Sequence, residues 1–107
     1  MSVYGQWLDA VITIATSTTV SAAVDLGRDY DYLEVTIPTI DSANIGFQVC
    51  ETAGGTYTTL GSGNAIVTAG TGGFTTTVNL GGYQFIKVTT SAVQTSNRTF
   101  RVRGSRP

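Results

Sequence analysis

Apolar and polar residues alternate along most of the chain, which is the period of strands with one face buried. Val20, Ala22, Val24 and Leu26 share one face, with Ser21, Ala23 and Asp25 on the other. Leu33, Val35 and Ile37 alternate with Tyr32, Glu34 and Thr36, and Ile45, Phe47 and Val49 with Gly46, Gln48 and Cys50. Phe74, Thr76, Val78 and Leu80 mark a further face, followed by Ile86 and Val88 and finally by Phe100 and Val102, between which Arg101 points the other way with Arg103. Glycine and asparagine separate the runs: Gly27, Gly54-Gly55, Gly61-Ser62-Gly63-Asn64, Gly70 to Gly73, and Gly81-Gly82. Glycine supplies the positive φ that tight hairpin turns demand. No stretch carries a 3.6-residue apolar stripe, and the abundant Thr and Val suit pleated sheet. The pattern predicts an all-β fold: an antiparallel β-sandwich, jelly-roll-like or a small barrel, of about 8–9 strands.

The chain also repeats itself. Val24-Asp25-Leu26-Gly27 is echoed by Val78-Asn79-Leu80-Gly81, and Tyr30-Asp31-Tyr32-Leu33-Glu34-Val35-Thr36 by Tyr83-Gln84-Phe85-Ile86-Lys87-Val88-Thr89. Asn44, Phe47 and Val49 then match Asn97, Phe100 and Val102. Neither half can bury its apolar face alone, so the expected arrangement packs the halves together about a pseudo-twofold. The predicted layout is a single domain over 1–107, with related strand repeats at 20–50 and 74–103, an N-terminal arm at 1–9 and a C-terminal arm at 104–107. Charge inverts between the repeats, Glu34 matching Lys87 and Gln48 matching Arg101. Adjacent strands carrying Glu34 and Lys87 would gain about 0.2–1 kcal/mol from the pair.

Composition narrows the chemistry. Of 107 residues only 12% are charged, against about 25% in an ordinary soluble domain. Ser, Thr and Gly take the missing places while the aliphatic residues are kept, so low charge here does not mean disorder. Histidine, the commonest general base and metal ligand, is absent. One cysteine, Cys50, allows no internal disulfide and no cysteine-based zinc site. Cys50 is out of phase with Phe47 and Val49, which predicts an outer face or a place beneath a covering loop, as a small apolar residue.

All seven acids lie in the first half, from Asp9 to Glu51, and the bases other than Arg28 lie from Lys87 onward. With a pI near 5.0, mutual neutralisation of the halves is expected, with no direct nucleic-acid partner. The start has no basic n-region, and 11–24 is too short and too polar to span a membrane. Synthesis in a cytoplasm and no membrane partner are the expectation.

The remaining candidate sites read as structure. Lys87 sits on a regular strand without a Ser-x-x-Lys pattern. Asp25, Asp29, Asp31 and Glu34 lack the spacing of a calcium loop and read as solvated turn residues. The glycine run at 70–73 has neither a following Gly-Lys-Ser/Thr nor a helix, so it is no phosphate loop. Asn97-Arg98-Thr99 matches a glycosylation sequon. No catalytic, cofactor-binding or metal residue is therefore predicted. Tyr30, Tyr32, Tyr57, Tyr83 and Phe85 read as packing residues, with sugar stacking the alternative. The ends are more informative: Tyr4 and Trp7 precede the first clear strand, and Arg103 and Arg106 close the last. Large aromatics and arginine are enriched at the centres of interfaces, so Tyr4, Trp7, Arg103 and Arg106 are the predicted protein-contact residues.

Taken together, Ser21-Ala22-Ala23-Val24-Asp25-Leu26-Gly27, Ile45-Gly46-Phe47-Gln48-Val49 with Gly54-Gly55-Thr56-Tyr57, Tyr83-Gln84-Phe85-Ile86-Lys87-Val88 and Asn97-Arg98-Thr99 resemble a group of small tailed-bacteriophage virion proteins. These are capsid decoration, head-fibre and minor structural proteins, and the resemblance covers roughly 20–103. It implies a β-sandwich that binds a preassembled shell or tail, with the major capsid protein or another virion protein as partner, as a homo-oligomer with a trimer favoured. It implies no catalytic residue. Cys50 and the aromatic N-terminal arm depart from the pattern, which leaves the docking mode open. The expectation is a non-enzymatic capsid decoration (cement) protein on the outside of the head of the phage particle. The alternatives are a carbohydrate-binding or receptor-binding module of a fibre, and a tail or head-to-tail connector subunit.

Overall fold

A computed structural model describes residues 3–52, 54–60 and 67–106. They form an all-β fold: strands β1 (Val3–Tyr4), β2 (Leu8–Ile12), β3 (Val24–Cys50), β4 (Thr58–Thr59), β5 (Val67–Thr90) and β6 (Arg98–Arg106). All pairings are antiparallel and join the strands into one sheet. A flat strand of the 27 residues of β3 would reach about 90 Å, yet the longest dimension of the molecule is 39 Å. The sheet is therefore curled, a half-barrel closed over its own apolar face.

The curl explains why fewer strands appear than the alternation predicts. Three of the predicted runs lie end to end in β3 and two in β5, because the chain bends without leaving the ladder. Gly27, expected in a hairpin turn, sits at one such bend with φ 89°, and its N–H donates to Asp25 Oδ1 at 2.8 Å. The pairing of β3 with β5 shifts register between Asp25 and Tyr30, across that bend. The turn predicted at 61–64 lies outside the described residues.

Two ladders result. In the first, β6 lies between β2 and the middle of β3, which pairs on its other side with β5 from Gly72 to Asn79. In the second, the end of β5 runs between the beginning and the end of β3: Ile86 lies opposite both Val24 and Val49. Each ladder thus mixes strands from both halves of the sequence. The registers follow the sequence repeat closely. Val24↔Ile86 and Asp25↔Phe85 become Val78↔Leu33 and Asn79↔Tyr32 when the halves are exchanged, and Tyr30 lies opposite its own counterpart, Tyr83. The correspondence then slips, since Lys87 lies opposite Gln48 whereas Glu34 lies opposite Arg103.

That exchange of strands corrects the expected Glu34–Lys87 pair. Glu34 is flanked by Thr77 and Arg103, and Lys87 stacks on the Tyr57 ring, 4.5 Å from its centroid. The inner face carries the core. Phe47, Phe100, Leu33, Val35, Ile45, Ile86, Val88 and Val102 are wholly buried, each contributing about 1.5–3 kcal/mol by leaving water. Tyr30 is buried with them, its ring lying against the backbone of Gly104, where a β-carbon would overlap it.

A polar clasp fixes the approach to β6. Gln94 is 1% exposed, and its Oε1 accepts the Asp41 N–H at 2.9 Å and Arg98 Nε at 3.2 Å. Its Nε2 donates to the carbonyls of Asp41 and Ala92, both at 3.2 Å. Asp41 in turn accepts the Thr95 N–H and hydroxyl at 2.7 and 2.9 Å. The bond from the Thr95 hydroxyl, seconded by its N–H, holds the Asp41 carboxyl below its ordinary value. The loop before β6 is thereby pinned to β3.

Candidate docking surface

Along β6, Phe100 and Val102 point inward, so Arg101 and Arg103 stand on the outer face. The two ends predicted as arms run along each other over the described residues. Val3 and Tyr4 pair with Arg106 and Ser105, and Leu8 to Ile12 pair with Val102 to Arg98. Between these stretches residues 5–7 oppose only 103 and 104. That extra residue is a bulge, and one residue of slip changes which face a side chain takes. It is how Tyr4 and Trp7 reach the same side of the sheet as Arg103. The Gly5 N–H donates to the Gly104 carbonyl at 2.8 Å and closes the bulge.

Arg103 is the hub. Its guanidinium carbon lies 4.8 Å from the ring centroids of both Tyr4 and Trp7. Its Nε and Nη2 donate to Glu34 Oε2 at 3.2 and 3.0 Å, and Glu34 is its cross-strand neighbour on β3. The side chains of Arg103 and Glu34 are only 28% and 19% exposed, so the rings shield the ion pair from water. Tyr4 remains 57% exposed, and Tyr32, 41% exposed, stands across Ser105 from it. An open depression lined by Tyr4, Gln6, Leu8, Arg28 and Tyr30 adjoins the cluster.

Three of the four residues predicted for protein contact therefore meet in one place. The fourth, Arg106, turns to Asp29 (3.6 Å) and Asp31 (4.0 Å) further along β6. Glu34 was not singled out for this surface by the sequence, although an acid between Leu33 and Val35 must face outward. The other arginines of β6 are also matched: Arg101 with Asp9 at 2.8 Å and Arg98 with Asp41 at 3.5 Å. The segregated charges of the two halves thus meet across the sheet.

The remaining candidates are engaged separately. Asp25 Oδ1 accepts from Gln84 Nε2 at 2.8 Å, and this bond, with the Gly27 N–H, lowers the Asp25 pKa. Cys50 is buried against Thr52 and Gly55; its thiol donates to the Thr52 carbonyl at 3.1 Å, and a β-carbon on Gly55 would press on the sulfur. Burial raises the Tyr57 pKa, with the Cys50 and Asp25 charges adding to it. Of Tyr30, Tyr32, Tyr83 and Phe85, only Tyr32 is exposed. Asn97 Oδ1 of the sequon accepts the Ile14 N–H at 3.0 Å.

The arrangement holds aromatic and arginine side chains in a preorganised, partly exposed cluster. Stacking and the ion pair fix an otherwise flexible arginine, which removes part of the ordering cost of binding. Comparison with protein-family models, with curated proteins and with solved structures gives no match.

Proposed function

We propose that this chain is a non-enzymatic structural protein of a tailed-phage virion, a capsid decoration subunit on the outside of the head, that docks on the major capsid protein through Tyr4, Trp7 and Arg103. The observation that carries the docking reading is the Tyr4–Arg103–Trp7 stack, held by Glu34 and left partly exposed. Exposed aromatics around a fixed arginine are the composition of binding hot spots. The virion assignment draws its support from the resemblance of residues 20–103 to small phage structural proteins. We also propose that the two ladders form the layers of a β-sandwich made by duplication, which the matched registers of the two halves support. The protein would act as a homo-oligomer, for which the resemblance suggests a trimer.

Electron microscopy of the intact particle tests the assignment. The expected result is ordered density for this chain on the outer head surface, with Tyr4 and Trp7 turned to the shell. Density confined to the tail or the head-to-tail junction would replace decoration by a connector role. The fibre reading draws on Tyr4 and Tyr32, exposed on either side of Ser105. Binding to a glycan array that is lost in Tyr32→Ala would favour it.

A further inference from the structure

We propose that the free edge of β5, from Phe74 to Asn79, pairs with the same edge of a second copy, antiparallel and centred on Thr77, to continue the sheet across two molecules. This contact is independent of the docking surface, which lies on the other side of β3.

The first observation is an unpaired edge. From Phe74 to Asn79, β5 is bonded to β3 on one side, and among the described residues no strand lies on the other. A bare strand edge is a template for another strand. The far side of this ladder is treated differently, since there the Val11 carbonyl of β2 accepts the Ala22 N–H at 3.0 Å.

The second is the lack of a charge or a proline to guard the edge. Edge strands are ordinarily protected by lysine, proline or an inward charge. Between Glu51 and Lys87 the sequence has no charged residue and no proline. The whole of β5 before Lys87 is therefore neutral, in a chain whose other long strands carry charged pairs.

The third is self-complementarity. Directly opposed residues of an antiparallel ladder point to the same face. About Thr77, the exposed Thr75 and Asn79 of one copy meet Asn79 and Thr75 of the other, and Thr76 meets Val78. Thr75 already makes such a contact within the chain, its hydroxyl 3.0 Å from that of Thr36 on β3. A charged or nucleic-acid partner finds nothing here to recognise; a second neutral strand does. The twofold contact predicts dimers, and not the trimer suggested by the resemblance.

The test uses the full chain, with mass measured by light scattering over a concentration series and amide exchange followed in parallel. The wild type is expected to dimerise as concentration rises, with protection appearing at the alternate amides of 74–79 that point away from β3. Thr75→Lys/Asn79→Lys places like charges opposite each other and should raise the dissociation constant at least about tenfold. Thr75→Glu/Asn79→Glu should do the same, and mixing the two variants should restore pairing. Circular dichroism and melting confirm that each variant is folded; the amide-exchange series on the wild type stands without them. A wild type monomeric to about 1 mM, a trimer indifferent to both variants, or those alternate amides of 74–79 equally protected at every concentration would overturn the proposal.

Discussion

Replacing Arg103 by alanine removes the centre of the outer-face cluster, and its cost can be worked from the contacts. Two charge-assisted hydrogen bonds to Glu34 disappear, from side chains 28% and 19% exposed. Partial exposure brings their joint contribution to about 1–2 kcal/mol. Two cation–π contacts add about 0.5–1 kcal/mol each. The sum is a loss of about 2–4 kcal/mol, or roughly 9–18 °C in Tm for a chain of this length. Urea unfolding followed by far-ultraviolet circular dichroism measures it. The fluorescence of Trp7, the only tryptophan, reports the stack itself. Arg103→Lys keeps the charge but loses the planar fork and most of the stacking, so it should recover no more than half of the loss. A double-mutant cycle with Glu34→Gln isolates the ion pair and should give about 1–2 kcal/mol of coupling. A loss below about 0.5 kcal/mol for Arg103→Ala, or coupling near zero, would refute the reasoning, because the cluster would then be an ordinary solvated surface pair.

Gln94→Ala strips two acceptor and two donor bonds from a buried site; urea midpoints should report about 2–4 kcal/mol of destabilisation, and a change under about 1 kcal/mol would mean the clasp is not needed. Gly104→Ala drives a β-carbon into the Tyr30 ring and should cost about 1–3 kcal/mol by overpacking, much of it recovered by adding Tyr30→Leu; equal, additive losses in the thermal melts would contradict the contact. Asp41 and Asp25 both have lowered pKa values in the folded chain. Their stabilisation is therefore present above the unfolded carboxylate range and lost as pH falls through the folded values. Tm should hold from pH 7 to about 5 and fall below about pH 4, with Asp41→Asn flattening that decline; an undiminished Tm at about pH 2.5 would exclude the effect.

The inward positions of the strands were legible because burial on one face imposes a period of two: Leu33, Val35, Ile45, Phe47, Ile86, Val88, Phe100 and Val102 are all in the core. The strand boundaries were not. Gly27 and Gly81 look like turn residues, but at a bend in a curled sheet the same positive φ serves without ending the strand. Partners across the sheet were also hidden, since alternation says which face a residue takes and nothing about which strand lies beside it. Hence Glu34 was matched with Lys87 by the repeat, whereas Arg103 is its neighbour in space. Tyr4, Trp7 and Arg103 were recognisable by residue type alone; their meeting depends on a bulge at 5–7 that no local pattern announces. Gln94 gave no signal, because an amide in a Ser- and Thr-rich loop resembles solvent-exposed sequence until its four hydrogen bonds are known.

The most direct test of the account is the occupancy of phage particles by Tyr4→Ala/Trp7→Ala, added at sub-saturating concentration to particles lacking this chain and counted by quantitative gel or microscopy. The variant keeps every core residue and should remain folded at 25 °C by circular dichroism. The account predicts that it occupies at least about tenfold fewer sites than the wild type at equal concentration, a loss of about 1.4 kcal/mol of binding. Occupancy equal to that of the wild type, with the variant folded, would contradict the claim that this surface attaches the protein to the virion.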